Sequence, residues 1–241
     1  MKFTYALRLF KEIFFPRKCA VCESEIDTGI VCSACRQNYL LHKSKIYGAS
    51  QNSWHKLMTT GQPLEAEDFF DRVVYLYRYD SAFKAALHKV KFEAEAALLP
   101  LLKEEAEIAL QEIRNSLLKH YDIVICIPTS SERLKQRGFD VPKELFESLI
   151  MTKNKTITGD ALQRIKKTAP LYTMDAEARK EELVGCFKIT SGVNLQHKRV
   201  LLCDDIFTTG STMKEAAQLL LEAGAACVGV LTFCASKDNW D

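Results

Sequence analysis

Residues 200–224 constrain the fold of this chain more than any other stretch of its sequence. They open with a short apolar run, residues 200–203, which is typical of a strand buried on both faces. Asp204 and Asp205 follow directly, and a run of small and hydroxylated residues then extends to Thr212. The order strand, acidic pair, small-residue loop predicts the edge of a parallel sheet where α/β proteins bind ligands.

The second half of this stretch predicts a helix. Apolar residues recur on one helical face from Met213 onward, and Gly224 follows them as a C-terminal glycine would. Thr212 with Glu215 three residues later predicts a capping box. A loop that enters a helix N-terminus offers unpaired N–H groups and a positive dipole end, which together suit a phosphate. The alternative is an ordinary strand-to-helix turn with an acidic start.

The chemistry of these residues matches one small molecule, a phosphorylated ribose accompanied by Mg²⁺. Carboxylates suit sugar hydroxyls or a hydrated metal ion. Hydroxyl groups and the close backbone approach that glycine allows suit the phosphate. The candidate ligand-binding residues are Asp204, Asp205, Thr208, Thr209, Gly210, Ser211 and Thr212.

Two Cys-x-x-Cys turns near the N-terminus predict a structural zinc element. Their cysteines are Cys19, Cys22, Cys32 and Cys35, and nine residues separate the pairs. Four thiolates fill a tetrahedral site and leave no open position for catalysis. A redox-active Cys-x-x-Cys is the alternative, but it does not explain two such turns. The other five cysteines lie in apolar segments and are expected to be small core residues: Cys126, Cys186, Cys203, Cys227 and Cys234.

Charge is divided unevenly along the 241 residues. Residues 1–60 hold nine Lys/Arg and four Asp/Glu, a net of +5, whereas residues 61–241 hold 24 and 27, a net of −3. The basic end is also rich in aromatic residues, and this combination suits a single nucleic-acid strand. A solvated face over a small core is the alternative. No secretion signal or membrane-length apolar run is evident, so we expect a cytoplasmic protein.

The remaining segments predict an α/β fold with a mainly parallel, doubly wound sheet. Apolar strands at residues 71–79, 122–128, 198–204 and 227–234 alternate with helical segments. We therefore expect two units. Residues 1–60 would hold a short amphipathic helix, the zinc element and a linker, with the polar stretch 37–70 irregular, and residues 61–241 would form the main domain.

Three helical segments are expected within this main domain. The first follows Asp80, with apolar residues at 83, 87 and 90, and ends in a basic patch. The second covers residues 93–119, where Pro100 predicts two helices or a kink. The third covers residues 141–151. Before it, a loop over residues 128–140 carries three cations and, because it follows a strand, is expected to face a pyrophosphate; a solvated basic loop is the alternative.

These residues resemble the signature for 5-phosphoribosyl-1-pyrophosphate (PRPP) of type I phosphoribosyltransferases, in which four apolar residues, two acids and two more apolar residues precede a phosphate loop. The leading four-cysteine element narrows the resemblance to the ComF/ComFC family of competence proteins, which includes GntX-like proteins. Further matches from about Cys19 to the C-terminus are Tyr79–Asp80, Lys89-x-Lys91-Phe92, Ile127–Pro128, Arg137-Gly138-Phe139, Arg164, Thr168, Arg179, Gly185 and Phe187.

The resemblance implies roles for particular residues. Asp204 and Asp205 would contact the ribose hydroxyls directly or through Mg²⁺ and would be the catalytic residues of any transfer. The loop over residues 208–212 would hold the 5-phosphate. Thr129, Ser130 and Arg137 would lie near the pyrophosphate. Displacement of pyrophosphate at the anomeric carbon would need no protein nucleophile, because positioning and charge neutralisation supply the rate.

This chain also departs from the family pattern. Asp140 and Val141 replace a common Asn-Gln pair, Leu171 replaces a usual Gln and Glu182 a usual Asn, so these positions are not assigned to a ligand. Thr208 stands where purine salvage enzymes with a similar loop place an acid near the base. That substitution argues against 6-oxopurine salvage, and no other segment predicts a hood that selects a nucleobase.

The resemblance implies a DNA-uptake factor of natural transformation with a PRPP-type pocket and a surface for single-stranded DNA. Lys89, Lys91, Arg17 and Lys18 are the candidate nucleic-acid contacts. An active phosphoribosyltransferase of nucleotide or base metabolism is the alternative function. A third hypothesis is a PRPP-sensing scaffold whose zinc element docks a DNA helicase or a recombination mediator.

Overall fold

A computed structural model describes residues 17–19, 22–27, 30–46, 70–150, 161–166 and 182–237. Three sequence predictions lie outside these residues: the amphipathic helix within residues 1–15, the irregular stretch at 47–69, and the family positions Thr168, Leu171 and Arg179.

The described chain alternates strands and helices. The strands are β1 (Leu40–Ile46), β2 (Arg72–Arg78), β3 (Ile123–Cys126), β4 (Leu162–Arg164), β5 (Phe187–Ile189), β6 (Arg199–Phe207) and β7 (Cys227–Ala235). The α-helices are α1 (Ser33–Tyr39), α2 (Ser81–Phe92), α3 (Leu99–Leu110), α4 (Arg114–His120), α5 (Ser131–Arg137), α6 (Val141–Leu145), α7 (Glu147–Ile150) and α8 (Ser211–Glu222). A short 3₁₀ helix, Ala96–Leu98, precedes α3.

A five-stranded sheet in the order β1-β2-β7-β6-β3 forms the centre of the fold. Strands β2, β7, β6 and β3 are parallel to one another, and β1 joins β2 as an antiparallel edge strand. The predicted α/β fold with a mainly parallel sheet is therefore confirmed. Strand β6 is longer than its apolar run, because Asp204 and Ile206 still pair with Thr232 and Cys234 of β7. The acidic pair accordingly belongs to the strand and not to a loop.

Both faces of the sheet are covered, as a doubly wound architecture requires. One face packs against α2, α3 and α6 through side chains such as Phe83, Leu102 and Leu145. The other packs against α8 through Met213 and Leu220. Four of the five cysteines expected in the core are buried, and Cys227 is half-buried. Among the described residues, no helix is long and apolar enough to cross a membrane.

Three local predictions need correction. Residues 40–46 are strand β1 and not part of an irregular linker, because they pair with β2 over Lys43–Ile46. Pro100 does not divide the second helical segment; it lies in the first turn of α3, where its missing N–H costs nothing, and the break falls after Leu110. The third segment is two short helices, α6 and α7, separated at Phe146, which is buried with Leu145 as expected.

The cysteine-bearing segment is anchored to the main sheet through one buried carboxylate. Glu105 of α3 is fully buried and receives two hydrogen bonds from Arg36, at 2.6 and 2.8 Å. The Ile30 N–H also donates to it at 3.1 Å, and the Tyr77 hydroxyl at 3.2 Å. Burying a charge is tolerated only with such pairing. The division at residue 60 stays a prediction, with β1 and this anchor joining its N-terminal part to the sheet.

Candidate functional site

The carboxyl ends of the parallel strands surround a cavity of about 280 Å³. Most of its polar lining was predicted from the sequence, including Asp204, Asp205 and the whole 208–212 loop. The lining residues are Tyr79, Lys91, Phe92, Ile127, Pro128, Thr129, Ser130, Arg133, Arg137, Pro142, Arg164, Leu183 and residues 204–213. The structure thus brings together every residue assigned to PRPP, although three separate segments of the chain supply them.

Asp205 is already paired in this cavity. Its Oδ1 accepts a hydrogen bond from Lys91 Nζ at 2.8 Å, and only 8% of its side chain is exposed. Asp204 Oδ1 accepts from the Asp205 N–H at 2.8 Å. Burial, followed by the neighbouring Asp205 charge, raises the pKa of Asp204 well above its usual range. The two acids therefore do not behave as two free carboxylates.

The phosphate loop leads into α8 without a side-chain cap. Gly210 is the N-cap, at φ 73°, so the predicted Thr212–Glu215 capping box is wrong. Glu215 Oε1 instead accepts from the Gly185 N–H at 2.7 Å. An alanine Cβ at position 210 would lie 2.6 Å from the Phe207 ring, so both conformation and space require glycine there. The helix start and the exposed Thr208 and Thr209 are left facing the cavity.

Asp140, the departure from the family pattern, holds the loop after β3 in place. Its Oδ2 accepts from the Thr129 N–H at 3.1 Å, and its Oδ1 from the Lys143 N–H at 3.5 Å, which makes it the N-cap of α6. Burial raises the pKa of Asp140, and the hydrogen bonds to the carboxylate act in the opposite direction. Asp140 therefore positions a residue of the cavity wall and is not itself part of the lining.

Three guanidinium groups make the cavity cationic. Arg133 and Arg137 come from α5, and Arg164 ends β4. Burial lowers the pKa of Arg137 and of Arg164, while the Asp205 charge opposes this at Arg137. Arg137 Nε is buried with no partner in the described chain. Buried cations near a phosphate loop provide charge that an anionic ligand would complete.

Strands β4 and β5 supply a wall of the cavity that the sequence did not predict. They pair antiparallel, from Leu162 with Ile189 to Arg164 with Phe187, and Arg164 and Leu183 line the cavity. The Arg164 guanidinium lies 5.7 Å from the centre of the Phe187 ring. Both are family positions, but strands of three residues are too short to give a clear alternating pattern. Glu182 contacts Lys166 Nζ only through its backbone oxygen, at 3.0 Å.

The four predicted nucleic-acid contacts occupy different places. Lys91 lies in the cavity wall, whereas Lys89, on the same helix, is exposed and has its Nζ 3.9 Å from Glu95 Oε2. Arg17 and Lys18 are exposed beside Cys19, where Lys18 forms an isolated bridge with Glu25. The assignment of these residues to nucleic acid stays a prediction.

The four cysteine sulfurs lie close enough to bind one metal ion. All are within 4.8 Å of one another, and Cys22 Sγ is 3.7 Å from Cys32 Sγ. Tetrahedral zinc with Zn–S bonds of about 2.3 Å requires S–S distances of about 3.8 Å. Backbone N–H groups of Cys32 and Cys35 donate to Cys19 Sγ and Cys32 Sγ at 3.3 and 3.4 Å. The arrangement could therefore hold a zinc ion.

The acidic pair fits a divalent cation less well than the cysteines do. Mg²⁺ prefers several oxygen ligands, but the Lys91 ammonium already neutralises Asp205 at 2.8 Å. A metal ion at the pair would have to displace that ammonium or bind beside it. If Mg²⁺ accompanies a ligand here, the ligand's own phosphates are better placed to carry it than Asp204 and Asp205 are.

Known proteins share both the domain and the length of this chain. The family model for the phosphoribosyl transferase domain matches residues 97–241. "DNA utilization protein YhgH" of Escherichia coli K12 is 28% identical over 225 residues, which cover 91% of this chain and 97% of that protein. "Competence protein F" of Haemophilus influenzae is 23% identical over 88% of this chain and 93% of its own. "Competence protein ComFC" of Bacillus subtilis is 28% identical over 154 residues, 63% of this chain and 58% of its own.

Proposed function

The chain belongs to the phosphoribosyl transferase domain family, as a ComF-type member, and from that premise we propose that it acts in DNA uptake or use. In this proposal it binds a ribose 5-phosphate ligand such as PRPP in the cavity and single-stranded DNA on its surface. The printed names of its relatives, which refer to competence and to DNA utilisation, support the DNA part. A cytoplasmic location is part of the same proposal.

The observation that carries the ribose-phosphate proposal is the meeting of the 208–212 loop, the acidic pair and Arg137 in one cavity. The loop would bind the 5-phosphate with N–H and hydroxyl donors, aided by the α8 dipole. Asp204 and Asp205 would accept hydrogen bonds from ribose hydroxyls. Thr129, Ser130 and Arg137 would face the pyrophosphate, and Mg²⁺ would accompany that pyrophosphate.

Calorimetry tests this ligand directly. We expect PRPP with Mg²⁺ to bind the wild-type chain and to lose its affinity when Asp204→Asn and Asp205→Asn are combined. Unchanged affinity in the double variant would refute the assignment of the site. Circular dichroism and thermal melting on the same preparation establish that the variant is folded. A gel shift with single-stranded DNA on that preparation tests the other half of the proposal, and no salt-sensitive binding at micromolar protein would refute it.

An active phosphoribosyltransferase is the second candidate, favoured by the complete phosphate loop. The chemistry would be displacement of pyrophosphate at the anomeric carbon by a base nitrogen, with the leaving charge met by Arg133, Arg137 and Lys91. Pyrophosphate release from PRPP with any member of a panel of bases would support it. PRPP binding without release across the panel would leave a binding protein.

The cysteine element is proposed to hold one structural zinc ion per chain. Four thiolates cannot gather without a cation, and burial together with its cysteine neighbours raises the pKa of Cys35. Metal analysis that finds no zinc, with folding unchanged after chelation, would refute this. If the element docks a helicase or a recombination mediator, capture of that partner should depend on Cys19 and Cys35.

A further inference from the structure

Four large apolar side chains of the described chain are markedly exposed, and all four lie around the ribose-phosphate cavity. They are Phe92, Leu134, Ile165 and Val184, with exposed fractions of 47, 41, 60 and 63%. Phe92 itself lines the cavity, and the other three each follow a lining residue directly in the chain. We call these four residues the apolar rim.

The apolar rim is assembled by the fold and not by one exposed segment. Phe92 ends α2, Leu134 lies in α5, and Ile165 follows β4. Val184 comes from the turn before β5, and the Ile165 N–H donates to Cys186 O at 2.9 Å, which holds these two parts of the rim side by side. Exposed apolar side chains scattered singly need no explanation, but a set gathered at the mouth of a polar cavity marks a binding surface.

Charge identifies the kind of partner. The cavity presents Lys91, Arg133, Arg137 and Arg164 against the two acids Asp204 and Asp205, one of which Lys91 neutralises. A partner that matches cations inside and apolar side chains outside must itself carry anionic groups next to exposed apolar faces. Single-stranded nucleic acid has this chemistry, because its phosphates alternate with unpaired bases that can rest on apolar and aromatic side chains.

The shape of the site favours the end of a strand over its middle. A phosphodiester within a strand carries one charge and has a sugar on either side, so it cannot reach a loop that lies inside a cavity. A terminal phosphate carries between one and two charges at neutral pH and has a sugar on one side only. The 208–212 loop, at the start of α8, suits such a terminal group.

We propose that the mouth of this cavity is the surface that binds single-stranded nucleic acid, and that the strand enters by its 5′-phosphorylated end. The terminal phosphate occupies the 208–212 loop, the next phosphate faces Arg133 and Arg164, and the first bases rest on the apolar rim. Free ribose 5-phosphate and the strand then exclude each other. This inference rests on the proposed ribose-phosphate site and assigns it a macromolecular ligand.

Fluorescence anisotropy with three labelled oligonucleotides of one sequence tests the end preference. One carries a 5′-phosphate, one a 3′-phosphate and one no terminal phosphate, with the label at the end opposite the phosphate or within the strand. We expect the 5′-phosphorylated strand to bind about tenfold more tightly or better, since a charge-assisted hydrogen bond contributes about that much. Ribose 5-phosphate should displace it. Equal affinities for all three strands would overturn the proposal, as would failure of ribose 5-phosphate to compete.

A double variant at the apolar rim separates the strand from the small ligand. Ile165→Ser combined with Val184→Ser should weaken the oligonucleotide about tenfold, because a resting base contributes roughly 1–3 kcal/mol. Its affinity for ribose 5-phosphate should stay within about twofold, a factor that corresponds to under about 0.5 kcal/mol. Lys198→Ser, an exposed cation before β6 at the opposite edge of the sheet, is the matched control and should change neither affinity beyond that.

The outcomes distinguish this proposal from the function it rests on. If ribose 5-phosphate does not bind, the ribose-phosphate site itself is refuted. If ribose 5-phosphate binds and no strand does, or if strands bind equally to the wild type and the rim variant, only the present inference fails. The rim would then serve a protein partner or the base of a small nucleotide.

Discussion

The two edges of the central sheet carry similar residue types but use them differently. At the amino edge, Asp71 Oδ2 accepts from the Tyr121 hydroxyl at 3.0 Å and lies 2.8 Å from His120 Nε2. Asp122 there binds Arg199 through two guanidinium nitrogens, at 2.9 and 3.1 Å. At the carboxyl edge, cations outnumber acids around a cavity. The polar groups of the first edge satisfy one another, whereas those of the second are arranged for a ligand.

This difference follows from the direction of the strands. In a parallel sheet all carboxyl ends meet at one edge, so loops from β2, β3 and β6 converge there although they are distant in sequence. The amino edge receives the ends of helices and short returns, which close on themselves. Substitutions at the amino edge should therefore lower stability and leave binding intact, and those at the carboxyl edge should do the reverse.

A pair of glycine substitutions should give the largest contrast. A Cβ on Gly229 would lie 2.0 Å from the hydroxyl of buried Tyr121, so Gly229→Ala should lower the free energy of unfolding by about 3 kcal/mol. Gly210→Ala requires a left-handed alanine against Phe207, which costs about 1–2 kcal/mol and shifts the phosphate loop. We expect it to weaken ribose 5-phosphate about tenfold.

Urea unfolding and calorimetry on both glycine variants make this measurement. The folded fraction of Gly229→Ala should bind ribose 5-phosphate as the wild type does. Weakened binding by that folded fraction, or normal binding by Gly210→Ala, would remove the distinction between the two edges.

Two arginine substitutions should show a somewhat smaller contrast. Arg137→Met removes a half-buried guanidinium whose pKa burial lowers, so the ligand-free protein should lose no stability and could gain about 1 kcal/mol. Its affinity for ribose 5-phosphate should fall about 10- to 100-fold. Arg199→Met breaks an exposed pair with Asp122 and should cost about 0.5–1 kcal/mol, with affinity unchanged. A large stability loss in Arg137→Met would show that Arg137 serves the fold and not a ligand.

Lys91 should determine how the site responds to Mg²⁺. With its ammonium on Asp205, the wild type should bind ribose 5-phosphate with an affinity that Mg²⁺ and EDTA change by less than about threefold. Lys91→Met exposes the acidic pair to a divalent cation, so Mg²⁺ should raise its affinity about tenfold. Lys89→Met, on the same helix but at the surface, is the control. Ribose 5-phosphate is used because it lacks a pyrophosphate that could bring its own metal.

Strong Mg²⁺ dependence in the wild type would instead place the cation at the acidic pair. The same experiment with PRPP then reports on metal carried by the pyrophosphate, since the two ligands differ only in that group.

Asp140 should give the smallest effect, visible as a pH dependence. Burial raises its folded-state pKa, so its contribution to stability is fully present below the unfolded value of about 3.9 and is lost as pH rises through the higher folded value. Asp140→Asn keeps one acceptor oxygen for the Thr129 N–H and removes the titration. The wild type should therefore lose up to about 1 kcal/mol relative to the variant between about pH 4 and neutrality. Urea unfolding across that range measures it, and parallel curves would contradict the assignment.

The sequence predicted most of the carboxyl edge because that edge is built from local patterns. An apolar run, two acids and a hydroxyl-rich loop lie within thirteen residues, so residues 200–212 alone predicted a strand and a phosphate site. The resemblance then added Arg137 and Arg164. The four cysteines were equally legible, since their spacing is local.

Features that depend on distant pairs could not be predicted in this way. The contact of Lys91 with Asp205 joins residues 114 positions apart, and the anchor of Arg36 on Glu105 joins residues 69 apart. Strand β1 looked irregular because an edge strand gains its hydrogen bonds from a neighbour and not from an apolar pattern. The capping box failed for a related reason: Glu215 found the Gly185 N–H, which the sequence gave no means to foresee.

Hydrogen–deuterium exchange with and without ribose 5-phosphate tests the central claim most directly, because it reports on both edges in one experiment. At saturating ligand, the account predicts slower exchange in peptides that cover residues 204–214 and 128–137. Peptides that cover residues 119–123 and 225–230, at the amino edge, should be unchanged. Protection confined to the amino edge, or no protection at any peptide despite saturation, would contradict the assignment of the carboxyl edge as the ribose-phosphate site.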